Sequence, residues 1–177
     1  MFDRAGNLYV SDSGGFHEDN GRIFVVRCDG ATQLIDDTMV QFPNGLALNS
    51  AEDYLYVALS TLPGVARLPV KDGEVTGKGE MVVELPRSVP DGLAFDVEGN
   101  LYVSCYSPDV IYRLDPAGNL ETLAEDWERV TLASPTNVSF GGPDRTTLFV
   151  ASLCRWHLSK AEMQVAGQPY NYPTFGA

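Results

Sequence analysis

The stretch Val89-Pro90-Asp91-Gly92-Leu93-Ala94-Phe95-Asp96-Val97-Glu98-Gly99-Asn100-Leu101-Tyr102-Val103 reads as a turn, a strand, a second turn and a second strand. Proline presets φ in the first turn and glycine relaxes it, while the runs between the turns are rich in β-formers. The unit recurs. Phe42-Pro43-Asn44-Gly45-Leu46-Ala47-Leu48 leads to Tyr54-Leu55-Tyr56-Val57, and Ser134-Pro135-Thr136-Asn137-Val138-Ser139-Phe140 leads to Thr147-Leu148-Phe149-Val150. Phe2-Asp3-Arg4-Ala5-Gly6-Asn7-Leu8-Tyr9-Val10 carries only the second half.

The Leu-aromatic-Val triplets at Leu8, Leu55, Leu101 and Leu148 are spaced by 47, 46 and 47 residues, and the Pro-x turns at Pro43, Pro90 and Pro135 by 47 and 45. That period lies between the roughly 40–45 of WD-type blades and the roughly 50 of kelch blades. A helical repeat of similar length competes, and the content of each period decides. Val110–Leu114, the turn Asp115-Pro116-Ala117-Gly118-Asn119 and Leu120–Leu123 are short β-rich runs bounded by turn residues. Gly64–Val70 with Met81–Leu85, and Arg22–Val26 with Thr32–Ile35, repeat the pattern. No segment sustains a helical stripe, and Glu125–Leu132 is expected to form at most a short helical turn. Four short antiparallel strands per period make a β-propeller blade. The expectation is an all-β fold, a single partial propeller over residues 1–177. Its repeats fall at roughly 2–41, 42–88, 89–133 and 134–165, with a tail over 166–177, giving about three and a half to four blades. Arg155–Lys160 is a candidate for one more strand. An incomplete ring leaves blade faces and edges open, so self-association through open edges is expected.

Composition bounds the partners. The chain has 12 basic and 24 acidic residues and a formal charge of −12, which disfavours nucleic acid. No apolar run reaches membrane-spanning length and Met1–Gly6 shows no apolar stretch of a signal peptide, so a cytoplasmic location without membrane contact is expected. Cys28, Cys105 and Cys154 are widely spaced and odd in number, which argues for a reducing compartment and for small, buried or half-buried hydrophobes.

In a propeller, the turns into the innermost strands open at the mouth of the central channel. Asn44, Asp91 and Thr136 hold the same position after proline in successive repeats, so they converge on one axis. An amide oxygen and a carboxylate are hard donors suited to Ca²⁺ or Mg²⁺. Pro-Asn-Gly and Pro-Asp-Gly are also ordinary turn sequences, and both readings stay open on these residues alone.

These motifs, with Ser104-Cys105-Tyr106, Arg113-Leu114-Asp115-Pro116 and Phe140-Gly141-Gly142-Pro143-Asp144, closely resemble the SMP-30/gluconolactonase/LRE-like family over nearly the whole chain. The resemblance implies a six-bladed propeller of lactone hydrolases with one divalent cation in the channel: calcium first, with zinc, manganese or magnesium as alternatives. It implies Asn44 and Asp91 as metal ligands, Asp91 also as the general base, and a small-molecule lactone of the sugar type as substrate. The family's third ligand is a glutamate in a Glu-Gly-Pro stretch, which does not occur in this sequence. The resemblance therefore implies that N-terminal blades are missing and that activity is impaired.

Asp12, Thr136 and Asn137 are candidate substrate contacts, with a capped polar turn as the competing reading of Asp12. Phe16–Gly21 does not fit an EF-hand loop. With only His17 and His157 and no Gly-x-Ser-x-Gly, serine-hydrolase chemistry has no support. The competing functions are a metal-dependent lactonase, a non-catalytic propeller or inactive fragment, and a strictosidine-synthase-like activity that has no motif behind it.

Overall fold

A computed structural model describes residues 1–172, which form fifteen strands and no helix. β1 (Leu8–Asp12), β2 (Arg22–Val26) and β3 (Thr32–Asp36) make the first antiparallel sheet. β4 (Pro43–Leu48), β5 (Tyr54–Leu59) and β6 (Gly64–Lys71) continue into a two-residue hairpin partner, β7 (Glu74–Val75), and a fourth full strand, β8 (Glu80–Glu84). β9 (Pro90–Phe95), β10 (Leu101–Tyr106), β11 (Asp109–Leu114) and β12 (Leu120–Glu125) form the third sheet. β13 (Pro135–Gly141), β14 (Thr147–Ser152) and β15 (Leu158–Glu162) form the fourth.

The strand order within each sheet follows the chain outward, as a propeller blade requires. The sheets face one another in succession, and each facing pair buries its own core. Tyr9, Ile23 and Val25 meet Leu55, Val57 and Leu68 between the first two blades. Ala58 and Val65 meet Leu101, Val103 and Val110 between the second and third, and Tyr102 and Ile111 meet Leu148 and Val150 between the third and fourth. Innermost strand β9 packs against both β4 and β13, so the three Pro-x turns stand side by side.

The Asp-x-x-Gly-Asn turns are built by side chains. Asp96 accepts from the Asn100 backbone N–H at 2.9 Å, from its Nδ2 at 2.7 Å and from the Tyr102 hydroxyl at 3.0 Å. Asp3 and Asn7 repeat the arrangement, as do Asp115 and Asn119. These carboxylates are structural; those of Asp3 and Asp96 are buried.

The fourth blade has three strands, and the first has three plus a single bridge from Phe2 to Leu8, in keeping with a partial propeller of about three and a half to four blades. Glu125–Leu132 forms no helix after β12 ends, within the expectation of at most a short helical turn. Its loop is tied by Asp126 Oδ2, which accepts from the N–H groups of Val130, Thr131 and Leu132 at 2.6–2.9 Å. The structure departs from the sequence reading at the cysteines: only Cys105 is buried, because Cys28 and Cys154 lie at strand ends beyond the inter-blade cores.

After β15 the chain runs across the ends of the innermost strands opposite the Pro-x turns. The N–H of Gln168 donates to Phe95 and its Nε2 to Leu48, each to the backbone oxygen. The Tyr170 hydroxyl accepts from the Phe140 N–H at 3.0 Å, and Asn171 Nδ2 donates to the Phe2 carbonyl at 3.1 Å. One short segment thus touches all four blades. The last part of the expected tail, residues 173–177, lies outside the described residues.

Candidate metal centre

The heads of all three innermost strands share one irregularity. Against β5, residues Pro43 and Leu46 pair with Leu59 and Val57, leaving one residue extra on the inner strand. Pro90 and Leu93 pair with Cys105 and Val103, and Pro135 and Asn137 with Ser152 and Ala151, each with the same single-residue excess. These are β-bulges, which interrupt the ladder and re-aim side chains. Asn44, Asp91 and Thr136 sit in them, released from regular pairing.

Two glycines let the bulged heads approach. A Cβ on Gly45 would stand 2.0 Å from the Asp91 carbonyl oxygen, and one on Gly92 would stand 2.5 Å from Asn137 Cα. No real side chain fits either gap. Serines then peg two of the heads from the preceding blade. Ser13 Oγ donates to the Pro43 carbonyl at 2.9 Å and Ser60 Oγ to the Pro90 carbonyl at 2.7 Å, the same contact one blade apart. Ser11 Oγ adds a bond to the Asn44 carbonyl at 2.6 Å, and Ser104 Oγ accepts the Gly92 N–H at 3.1 Å. Sequence reading missed these pegs, although Ser13 and Ser60 fall at one position after the Leu-Tyr-Val triplets.

Asp91 is half-buried, and its carboxylate takes part in no hydrogen bond or ion pair among the described residues. Burial pushes its pKa up to about 6. Burial first, and the Asp91 charge second, push the Cys105 thiol up to about 12, so that cysteine is no nucleophile at neutral pH. The same two causes raise the Tyr106 phenol. An uncompensated, desolvated carboxylate is what a hard cation stabilises, and an amide oxygen is a hard donor, so the donor chemistry of Asp91 and Asn44 fits one. Among the described residues no three His, Cys, Asp or Glu side chains gather at a point, so the chain offers one carboxylate and one amide.

The other candidates are placed as follows. Thr136 is half-buried at the third bulge. Asn137 is exposed, and its Oδ1 accepts the Val138 N–H at 2.9 Å. Asp12 Oδ1 accepts the Gly14 N–H at 3.1 Å, capping a turn. The loop from Ser13 to Gly21 leans on the second blade's turn, where the Phe16 and Phe42 rings meet edge to face at 5.1 Å. His157 lies away from the bulges, its Nε2 on the Thr131 carbonyl oxygen at 2.9 Å.

Comparison with known proteins bears on the family and the fold. The sequence pattern described as SMP-30/Gluconolactonase/LRE-like region matches residues 1–154. Regucalcin of Xenopus laevis is 28% identical over 121 residues, covering 66% of this chain and 39% of its own length. Pentonolactonase XacC of Haloferax volcanii is 28% identical over 159 residues, 85% of this chain and 50% of its own. The chain thus spans about half or less of the length of these curated relatives. A calcium-binding regucalcin from Agrobacterium tumefaciens superposes with a TM-score of 0.76 at 19% identity, over 99% of this chain and 63% of its own. A gluconolactonase from Xanthomonas campestris gives 0.71 at 21% identity, over 90% and 55%. At such identities the structural likeness establishes the propeller fold.

Proposed function

The chain belongs to the SMP-30/gluconolactonase/LRE-like family, and from that premise we propose that its bulged channel mouth is part of a divalent-cation-dependent lactone hydrolase site. The observation that carries the proposal is Asp91: half-buried, without a partner among the described residues, its pKa pushed up to about 6, with Asn44 at the matching bulge of the preceding blade. Asn44 and Asp91 would hold the cation. The remaining coordination is left to water, substrate and any donor outside this sequence. When bound, the cation polarises the lactone carbonyl and stabilises charge on its oxygen.

The chain's own residues then act on the proton. Asp91 orients a water and takes its proton as the oxygen adds to the carbonyl carbon. The ring C–O bond breaks, the proton passes to the departing alkoxide, and the product is a hydroxy acid. Asn44 fixes the direction of approach through its amide. Ser13 and Ser60 hold the two heads in register without touching the reacting atoms. A sugar lactone is the substrate class proposed.

Calorimetric titration of Ca²⁺, Mn²⁺ and Zn²⁺ against the chain and its Asp91→Ala variant tests the reading, with gluconolactone hydrolysis followed in parallel. One cation per chain, lost in the variant, is expected. Equal binding by both sinks the metal assignment. A second reading, a cation-binding module without catalysis, is favoured by the absence of any cluster of three His, Cys, Asp or Glu side chains among the described residues. Cation binding through Asp91 with no lactone turnover identifies it.

A further inference from the structure

The serine pegs occupy a fixed place in the repeat, the third residue after each Leu-aromatic-Val triplet: Ser13, Ser60, Tyr106 and Leu153 in successive blades. Ser13 and Ser60 each reach forward to the head of the next blade, at the Pro43 and Pro90 carbonyls. Strand alternation gives Tyr106 the same direction. Along β10, Val103 and Cys105 pack toward the second blade, whereas Tyr102 packs toward the fourth. Tyr106 falls on the Tyr102 side, with its N–H on the Val89 carbonyl at 3.2 Å and its backbone in regular pairing with Asp109. It therefore aims over the third head, Pro135-Thr136, as Ser60 aims over the second.

At that head the pegging is done by other groups. Asp109, 3% exposed, takes the Ser134 N–H at 2.6 Å, and Ser152 Oγ donates to the Ala133 carbonyl at 2.7 Å. Tyr106 is left without a structural bond. The hydroxyls of Tyr9, Tyr102 and Tyr112 are engaged by Asp3, Asp96 and Ser88, but that of Tyr106 has no hydrogen-bond partner among the described residues. Its side chain is half-buried, and a phenol carries its hydroxyl a ring's length beyond a serine's, past the head and into the channel mouth. The Asp91 charge reaches it there, second to burial among the causes that raise the phenol, so it keeps its proton at neutral pH. A tyrosine kept only for packing would need neither a free hydroxyl nor a place within reach of that carboxylate.

We propose that the Tyr106 hydroxyl donates to the ring oxygen of the lactone and gives it a proton as the ring opens. This rests on the lactonase reading of Asp91 and Asn44 and adds the leaving-group half of the reaction. Asp91 takes a proton from water while the water oxygen bonds to the carbonyl carbon. As the ring C–O bond breaks, its electron pair stays on the ring oxygen, which takes the Tyr106 proton. The proton held by Asp91 then restores the phenol, and the net change is lactone plus water to hydroxy acid.

Tyr106→Phe removes the hydroxyl and nothing else, and an unchanged melting temperature checks that the fold is intact. With gluconolactone and Ca²⁺, kcat should fall about 100-fold, while KM changes less than about fivefold and cation affinity holds. Dihydrocoumarin opens to a phenoxide, which leaves without needing a proton, so its turnover should fall less than about threefold. Equal losses on both lactones, or no loss on either, overturn the proposal. Where neither lactone is turned over, calorimetry of gluconate with the Ca²⁺-loaded chain decides. Binding about fivefold weaker in Tyr106→Phe is expected, and equal binding overturns the assignment. Asp91→Ala separates the two readings. Turnover that survives in it overturns the lactonase site and the proton donor with it, whereas turnover lost in it but intact in Tyr106→Phe overturns only the role of Tyr106.

Discussion

A carboxylate taken half out of water without a donor carries a cost that a ligand can remove, and Asp91 is in that position. Its pKa in the fold, about 6, lies above its unfolded value, so the native state binds the proton more tightly. The associated stability is present below the unfolded pKa and is lost as pH rises through about 6. In the cation-free chain, denaturant titrations should therefore show stability falling between pH 4 and pH 6.5, and Asp91→Asn should flatten that fall by about 1 kcal/mol after allowance for solvent screening. If lactone hydrolysis is present, the same substitution should lower kcat about 100-fold or more, the range of a lost general base. Asp96 makes the opposite case, because its buried carboxylate is fully partnered. Asp96→Ala strands the donors of Asn100 and Tyr102 and should cost about 3 kcal/mol. Scanning calorimetry would read that as a fall of about 6–12 °C. The Tyr102 phenol, pushed up to about 12 by burial and then by the Asp96 charge, remains a donor across the working pH range.

At the scale of strands, the bulge frees one residue at each inner strand's head from regular pairing, which is what the proposed site requires. Gly45→Ala should drive β4 and β9 apart, since its Cβ falls 2.0 Å from a backbone oxygen that cannot yield. A loss of about 2 kcal/mol or more is expected, together with weakened cation binding, and calorimetry reads both. A Gly45→Ala protein with parental stability would show that the inner strands tolerate separation. The repeats made the strands legible: Pro-x turns and Leu-Tyr-Val triplets announce their positions, and the shared place after proline announced Asn44 and Asp91. The bulges were not legible, because an extra residue shows only once a partner strand fixes the register. The exposure of Cys154 depends on where β14 ends, which its neighbours in sequence do not specify.

The whole molecule is a row of blades, each touching its neighbours, and such rows have nearly nearest-neighbour energetics. Left to that rule, the outer blades would fray on their own. The segment from Gly167 to Asn171 adds long-range terms, reaching Phe95, Leu48 and finally Phe2, a contact across 169 residues of sequence. Replacing Gln168 and Asn171 by alanine should broaden the thermal transition and bring the van't Hoff enthalpy below the calorimetric one. A ratio that stays at unity would show that the blades already melt together without the segment. If the ratio falls, folding has a fixed order of commitment. The blades form first from local contacts, and the closing loop, entropically the most expensive, is made last. Unfolding by force or protease should then begin with release of this one segment, and the rate of that release would set the lifetime of the native state.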